Sequence, residues 1–290
     1  LTLHLLIRRL INFISFLKIN FITEYYKDNK VKFSDFKWVE LNLETFKEFI
    51  ARKIEEKKSI LCVGLDPALP TQREKNVIPN KYLANAIDEN EARLKFCLDL
   101  IDEVSDFCVA IKVNEQYVKG FSLIHHKTLT NKAIEEGLGL IYDFKLGDIN
   151  DSVDSALFHV KSWGYNAITV NPFPGNLKHI INKARNNSIG VLTLTLMSNP
   201  ESEKYFKKSR VGSKPVYLEI AEEVKMFNGD GCIIGIGKHV TEEDIKNIRK
   251  IIGEEKIILF PGVGAQKGDP EKAIKNGGKN ILINVGRDII

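Results

Sequence analysis

The chain has 290 residues, 43% of them hydrophobic and 28% charged, and carries a formal net charge of +4. This is the composition of a soluble globular protein with a sizeable core, and its charge is too small and too dispersed for a nucleic-acid surface, though it suits an anionic small molecule. Cys62, Cys97, Cys108 and Cys232 lie far apart without zinc-ligand spacing, so they read as buried free thiols in a reducing, cytoplasmic compartment.

Residues 1–40 read as an N-terminal extension of uncertain standing. Their apolar run from Leu10 to Leu17 stops at Lys18, too short to cross a bilayer. Arg8 and Arg9 mimic the charged start of a secretory signal, but no small-residue cleavage site follows. The only methionines are Met197 and Met226, so the expectation is a processed chain, a fragment or a reading frame extended upstream.

Residues 41–290 read as a single domain. Leu43, Phe46, Phe49, Ile50 and Ile54 recur at helical spacing, with Thr45 as the cap. Residues 59–65 form a buried strand broken at Asp66-Pro67, and 68–87 are a polar, proline-bearing insertion before a helix over 88–104. Strands over 107–113, 140–145, 166–170, 189–196, 232–235, 256–260 and 280–285 then alternate with helices over 121–136, 150–163, 177–184, 216–226, 242–252 and 270–275. Continuous apolar strands separated by amphipathic helices predict a (β/α)8 TIM barrel, with an open doubly wound sheet as the alternative. Only Asp288, Ile289 and Ile290 follow the last strand, so the final covering helix is expected to be missing, with the apolar pattern of residues 1–18 as its substitute.

A barrel builds its site at the C-terminal ends of its strands. On the strand over 140–145 the two-residue side-chain period puts Asp143 and Lys145 on one face, and Asp148 follows just past the strand end. Three alternating charges are expected to converge there, for pairing or for chemistry. The competing reading is an ion pair at a strand end plus an aspartate capping the next helix. Asp66 follows the first strand, Lys112 and Asn114 share a face of the second, and Met197-Ser198-Asn199-Pro200 follows the fifth. The glycine loop over 261–269 and Gly286-Arg287 together match a barrel phosphate site. His4, His125, His126, His159, His179 and His239 read as surface or packing residues, as do Trp38 and Trp163, and Lys207, Lys208 and Arg210 as a solvated loop.

Leu65-Asp66-Pro67, Lys112-Val113-Asn114, Asp143-x-Lys145-x-x-Asp148-Ile149, Leu196-Met197-Ser198, Pro261-Gly262-Val263-Gly264-Ala265-Gln266 and Asn284-Val285-Gly286-Arg287 occur in this order. Together they resemble the orotidine 5′-monophosphate decarboxylase family, in its longer-insert branch, over roughly residues 59–290. The resemblance implies conversion of orotidine 5′-monophosphate to uridine 5′-monophosphate, the last step of de novo pyrimidine biosynthesis. It implies a charged network of Lys112, Asp143, Lys145 and Asp148, in a homodimer where Asp148, Ile149 and Ser152 cross into the neighbouring site. Ser152 stands where the family often has Thr, which keeps the hydroxyl. Asp66, Lys112 and Asn114 would hold the ribose and Ser198 the pyrimidine; Gln266 would bridge Ser198 to the phosphate, which Gly264, Gly286 and Arg287 would grip. The partner implied is a small-molecule nucleotide monophosphate, with no nucleic acid and no membrane.

Losing CO2 from C6 leaves a carbanion with no conventional electron sink, so a preorganised cation is the main available stabiliser. Lys145 fits that role and that of the acid that protonates C6, with no metal or organic cofactor required. The alternatives are a Mg2+-dependent sugar-phosphate decarboxylase or synthase, which Lys112 opposes at the metal position, and an inactive nucleotide-binding relative. Residues 199–214 and 262–269 are expected to be mobile when empty and ordered when occupied.

Overall fold

The computed structural model describes residues 44–262 and 269–289. The boundary expected near residue 40, the substitute helix over 1–18, and Gly264 and Gln266 lie outside the described residues. Among those described, eight parallel strands close on themselves: β1 (Leu61–Leu65), β2 (Ala110–Asn114), β3 (Gly139–Leu146), β4 (Ala167–Val170), β5 (Gly190–Leu196), β8 (Gly231–Ile234), β9 (Ile257–Phe260) and β10 (Ile281–Val285). Cys62 sits opposite Ala110 of β2 and Asn284 of β10, so β1 shuts the ring and the open-sheet alternative falls.

Closure follows from strands that are apolar on both faces. Alternate residues divide between two cores. Cys62, Ala110, Ile141, Ala167, Leu192, Ile257 and Leu282 fill the barrel interior, while Val63, Ile111, Leu140, Ile168, Val191, Ile258 and Ile283 face outward beneath the helices.

Those helices are α2 (Asn80–Ala84), α3 (Glu89–Val104), α4 (Glu115–Val118), α5 (Leu123–Glu135), α6 (Asn150–Trp163), α7 (Leu177–Asn186), α8 (Val216–Met226), α9 (Glu242–Ile252) and α10 (Pro270–Asn276). The first helix, α1 (Phe46–Lys57), is different: its Phe46 and Ile50 belong to the interior core. Thr45 starts it as expected, its backbone N–H donating to Glu48 Oε2 at 2.8 Å. A Cβ on Gly190 would stand 2.6 Å from Phe46 Cβ, and one on Gly139 2.7 Å from Ile50 Cδ1. Helix α1 therefore plugs the N-terminal mouth of the barrel. The C-terminal mouth is left for the site.

One strand boundary changes. β2 begins at Ala110 rather than at residue 107, because Phe107 is exposed on the turn before it. Among the described residues no helix follows Val285. The insertion over 68–87 holds α2 and is tied back to the barrel: Arg73 donates to the Asp66 carbonyl (3.1 Å) and the Asn76 side-chain amide to the Arg287 carbonyl (2.8 Å).

Residues 199–214 are likewise folded, as a π-helical turn (Glu203–Lys208) and a small hairpin of β6 (Arg210–Val211) and β7 (Lys214–Pro215). Phe206 is buried there, edge-on to Phe173. Lys207 is not part of a solvated run, since its ammonium donates to the His239 carbonyl (2.7 Å) and to Asp244 Oδ2 (2.6 Å). No described helix is long and apolar enough to cross a membrane.

Candidate active site

Asp143 and Lys145 do share the inner face of β3, and the strand is bent to present them. Between Tyr142 and Leu146 the pairing with β4 slips, and Lys145 takes the left-handed region with φ +51°. For a non-glycine residue that conformation costs about 1–2 kcal/mol. Thr169 of β4 holds the bend: its Oγ1 accepts the Lys145 backbone N–H (2.8 Å) and donates to Asp143 Oδ1 (2.9 Å).

Asp143 is also the meeting point of two ammonium groups. Lys112 Nζ donates to Oδ2 at 2.5 Å and Lys145 Nζ to Oδ1 at 2.8 Å. Burial by itself would raise the Asp143 pKa, but the two lysines reverse that and hold the carboxyl well below the usual range. Burial likewise opposes the charge on Lys112, yet Asp143 and then Asp66 keep its pKa above the ordinary lysine value. Lys112 is thus held as a cation, and it shares the Asp143 carboxylate with the Lys145 side chain.

These groups line a cavity of about 220 Å³ together with Asp66, Thr169, Ser198, Gly262, Asn284, Gly286 and Arg287. Leu194, Met197, Ile233, Leu259 and Pro261 give it an apolar wall. Asp66 Oδ1 is buried there with no hydrogen-bond partner, an acceptor waiting for a donor from a ligand. A Cβ on Gly64 would lie 3.3 Å from Asn284 Nδ2, so a side chain there would have to displace Asn284 by a few tenths of an ångström. Among the described residues no three His, Cys, Asp or Glu side chains gather as a metal-holding group.

Four expected residues stand apart from the cavity wall. The side chain of Asn114 accepts from Gln116 N (3.2 Å) and caps α4 rather than facing inward with Lys112. Asp148 is exposed, its Oδ1 accepting from Ile149 N (2.8 Å) and its carbonyl from Asn176 Nδ2 (2.9 Å). Within one chain, then, two of the three charges converge and not all three, because the backbone leaves the barrel axis after Leu146. Ile149 and Ser152 are exposed on the same shoulder.

Thr169 was not foreseen. A single hydroxyl in the run Ala167–Val170 is indistinguishable in sequence from an ordinary β-branched strand residue. His126 takes the packing role read for it: it is buried, stacks on Trp163 at 4.3 Å and contacts the Tyr165 hydroxyl through Nδ1 at 3.0 Å.

A closed (β/α)8 barrel with a lysine–aspartate–lysine network at its C-terminal mouth defines a barrel enzyme that works at its strand ends. The chain belongs to the Orotidine 5'-phosphate decarboxylase / HUMPS family, whose model matches residues 59–290. It is 32% identical over 253 residues to the orotidine 5'-phosphate decarboxylase of Christiangramia forsetii, covering 83% of this chain and 87% of that one. It is 28% identical over 260 residues to the enzyme of the same name from Roseiflexus sp., covering 85% and 89%. Among solved structures it resembles a putative orotidine-monophosphate-decarboxylase from Toxoplasma gondii, with a TM-score of 0.70 and 23% identity over 84% of this chain and 88% of that one. It also resembles Leishmania donovani UMP synthase, with a TM-score of 0.67 and 23% identity over 84% of this chain and 52% of that one. At such identities the two structures establish the fold alone.

Proposed function

We propose that the protein decarboxylates orotidine 5′-monophosphate to uridine 5′-monophosphate, the last step of de novo pyrimidine biosynthesis. The observation that carries this reading is the Asp143 carboxylate clasped by two ammonium groups at the open mouth of the barrel. The C6–carboxylate bond breaks and its electron pair stays on C6, beside the Lys145 ammonium. Lys145 stabilises that charge and then gives its proton to C6, taking another from solvent.

The rest of the nucleotide follows the cavity. Asp66 Oδ1, buried without a partner, suits a ribose hydroxyl, with Lys112 beside it. Asn114 caps Gln116 through Oδ1, which leaves its Nδ2 as the donor for the ribose. Ser198 faces the pyrimidine, and Gly286 and Arg287 take the phosphate with Gly264 and Gln266. Binding of the phosphate supplies energy for closure around the reacting carbon.

The working unit is a homodimer with the catalytic domain in residues 41–290. Asp148, Ile149 and Ser152 serve the neighbour's site, a reading supported by the exposed shoulder that also carries Phe173. The cytoplasm suits the chain, because burial pushes its thiols up, Cys108 and Cys232 to about 11, and keeps them unreactive. A Mg2+-dependent sugar-phosphate reaction is disfavoured, since Lys112 occupies the Asp143 oxygen that a metal would need.

The test follows the loss of orotidine monophosphate absorbance with and without EDTA. Turnover indifferent to chelation is expected; turnover abolished by it overturns the reading. Lys145→Ala should lose turnover and keep nucleotide binding, and an active Lys145→Ala protein would refute the role of that lysine. Mixing Lys145→Ala with Asp148→Ala chains should restore turnover if the site is shared, and mixtures as dead as their parents would show that it is not.

A further inference from the structure

Ser198 lines the cavity from the loop after β5, and its backbone is closely held by a neighbouring loop. The carbonyl of Met197, one peptide before it, accepts from Ser202 Oγ at 2.9 Å and lies 3.0 Å from His239 Nε2. A carbonyl can only accept, so Nε2 carries the proton in the neutral ring. The same Nε2 lies 3.1 Å from Ser202 Oγ, which closes a three-membered knot.

The loop carrying His239 runs flush against this peptide. A Cβ on Gly235 would stand 2.3 Å from Ser198 N, and one on Gly237 2.3 Å from Ser198 O and 2.9 Å from His239 Cε1. Real Cβ atoms do not approach backbone so closely, so only glycines fit here. His239 is itself fixed, because its carbonyl accepts from Lys207 Nζ. Lys207 pairs with Asp244, which also accepts from the Tyr217 hydroxyl at 2.9 Å and from Thr241 N at 2.8 Å.

We infer that His239 is a positioning residue for the pyrimidine end of the cavity: by holding the Met197 carbonyl it sets the direction in which Ser198 points. Ser202, at the start of the π-helical insert, meets that imidazole, while α8 and α9 reach its backbone carbonyl through Asp244 and Lys207, which gives the insert a purpose beyond covering the barrel. The inference rests on the proposed reaction for the identity of the ligand; the knot itself is independent of it.

Wild type, His239→Ala, His239→Gln and Gly237→Ala are compared for KM and kcat with orotidine 5′-monophosphate. The same proteins are titrated with uridine 5′-monophosphate and with ribose 5-phosphate, which lacks the base. His239→Ala should raise KM and the Kd for uridine 5′-monophosphate about two- to tenfold, the range for one lost hydrogen bond, while the Kd for ribose 5-phosphate stays put. His239→Gln, whose side-chain amide can donate to the same carbonyl, should recover most of the loss, and Gly237→Ala should reproduce it. An unchanged KM in His239→Ala, an equal weakening of ribose 5-phosphate, or no recovery in His239→Gln would overturn the role of His239. A wild-type protein without turnover overturns the proposed reaction instead, and the two affinities still decide the role of His239.

Discussion

Replacing Asp143 with Asn removes one negative charge and strands two positive ones. The two lysines sit on different carboxylate oxygens, so the amide oxygen keeps one of them and the NH2 turns donors toward the other. The two lysines are not equally affected. The Lys112 side chain is 8% exposed and that of Asp143 10%, whereas Lys145 is 43% exposed and keeps much of its hydration. Removing one partner of a buried pair costs about 3–5 kcal/mol, against no more than about 1 kcal/mol for an exposed one. The stability lost is therefore essentially that of Lys112.

In the wild type Asp143 titrates below its unfolded value, so its contribution is present above the ordinary carboxylate pKa and fades as pH falls. Lys112 titrates above its unfolded value, so its contribution is present below the ordinary lysine pKa and fades as pH rises through the folded one. Both hold near neutrality. In Asp143→Asn burial acts on Lys112 with less opposition and depresses its pKa, so the variant gains stability as alkali removes that proton. Urea unfolding at about pH 7 and about pH 9.5 should show a deficit of about 3–5 kcal/mol that narrows at the higher pH. A deficit under about 1 kcal/mol, or one that ignores pH, refutes the reasoning.

Thr169→Val keeps the shape of the side chain and removes the hydroxyl that holds the Lys145 amide and Asp143; kcat/KM should fall about tenfold or more, with Thr169→Ser near wild type in steady-state kinetics. His126 is buried and neutral, its pKa pushed down to about 4 by burial, so folding resists its protonation. Stability should fall by about 3 kcal/mol as pH drops from the unfolded value near 6.5 through 4, and urea unfolding of His126→Phe should lack that component. Gly190→Ala would press a methyl onto Phe46 and lift α1 from the barrel floor; a loss of about 1–3 kcal/mol by denaturant unfolding is expected.

The barrel was legible because its strands are buried on both faces. Runs such as Ile281–Val285 announce themselves without any long-range information. Asp143 and Lys145 could be placed on one face from the strand period alone. Asp148 could not be placed, because its position depends on how the chain leaves the strand at Gly147, and no period governs a turn. Thr169, Lys207 and His239 stayed hidden for a different reason. Each acts through a partner distant in sequence, as Lys207 does with Asp244, and a single hydroxyl, lysine or histidine carries no local mark of such a meeting. The reading of residues 207–210 as a solvated run failed at Lys207 for this reason, while Lys208 and Arg210 fit it.

The same geometry explains why the network needs Lys112 as well as Lys145. On the proposed reaction the Lys145 proton has two possible destinations, Asp143 at 2.8 Å and the carbanion forming at C6. A buried aspartate with one lysine has less to set against desolvation, so its pKa would be lowered less and it would compete better for that proton. Lys112, bonded to the other carboxylate oxygen, adds its charge to that of Lys145 against desolvation and leaves Asp143 a poor base. The proton then stays on Lys145 until C6 becomes basic enough to take it. Lys112 on this view acts on the reaction partly through Asp143. The strained backbone of Lys145 is tolerated because Thr169 and Asp143 together fix where the ammonium points.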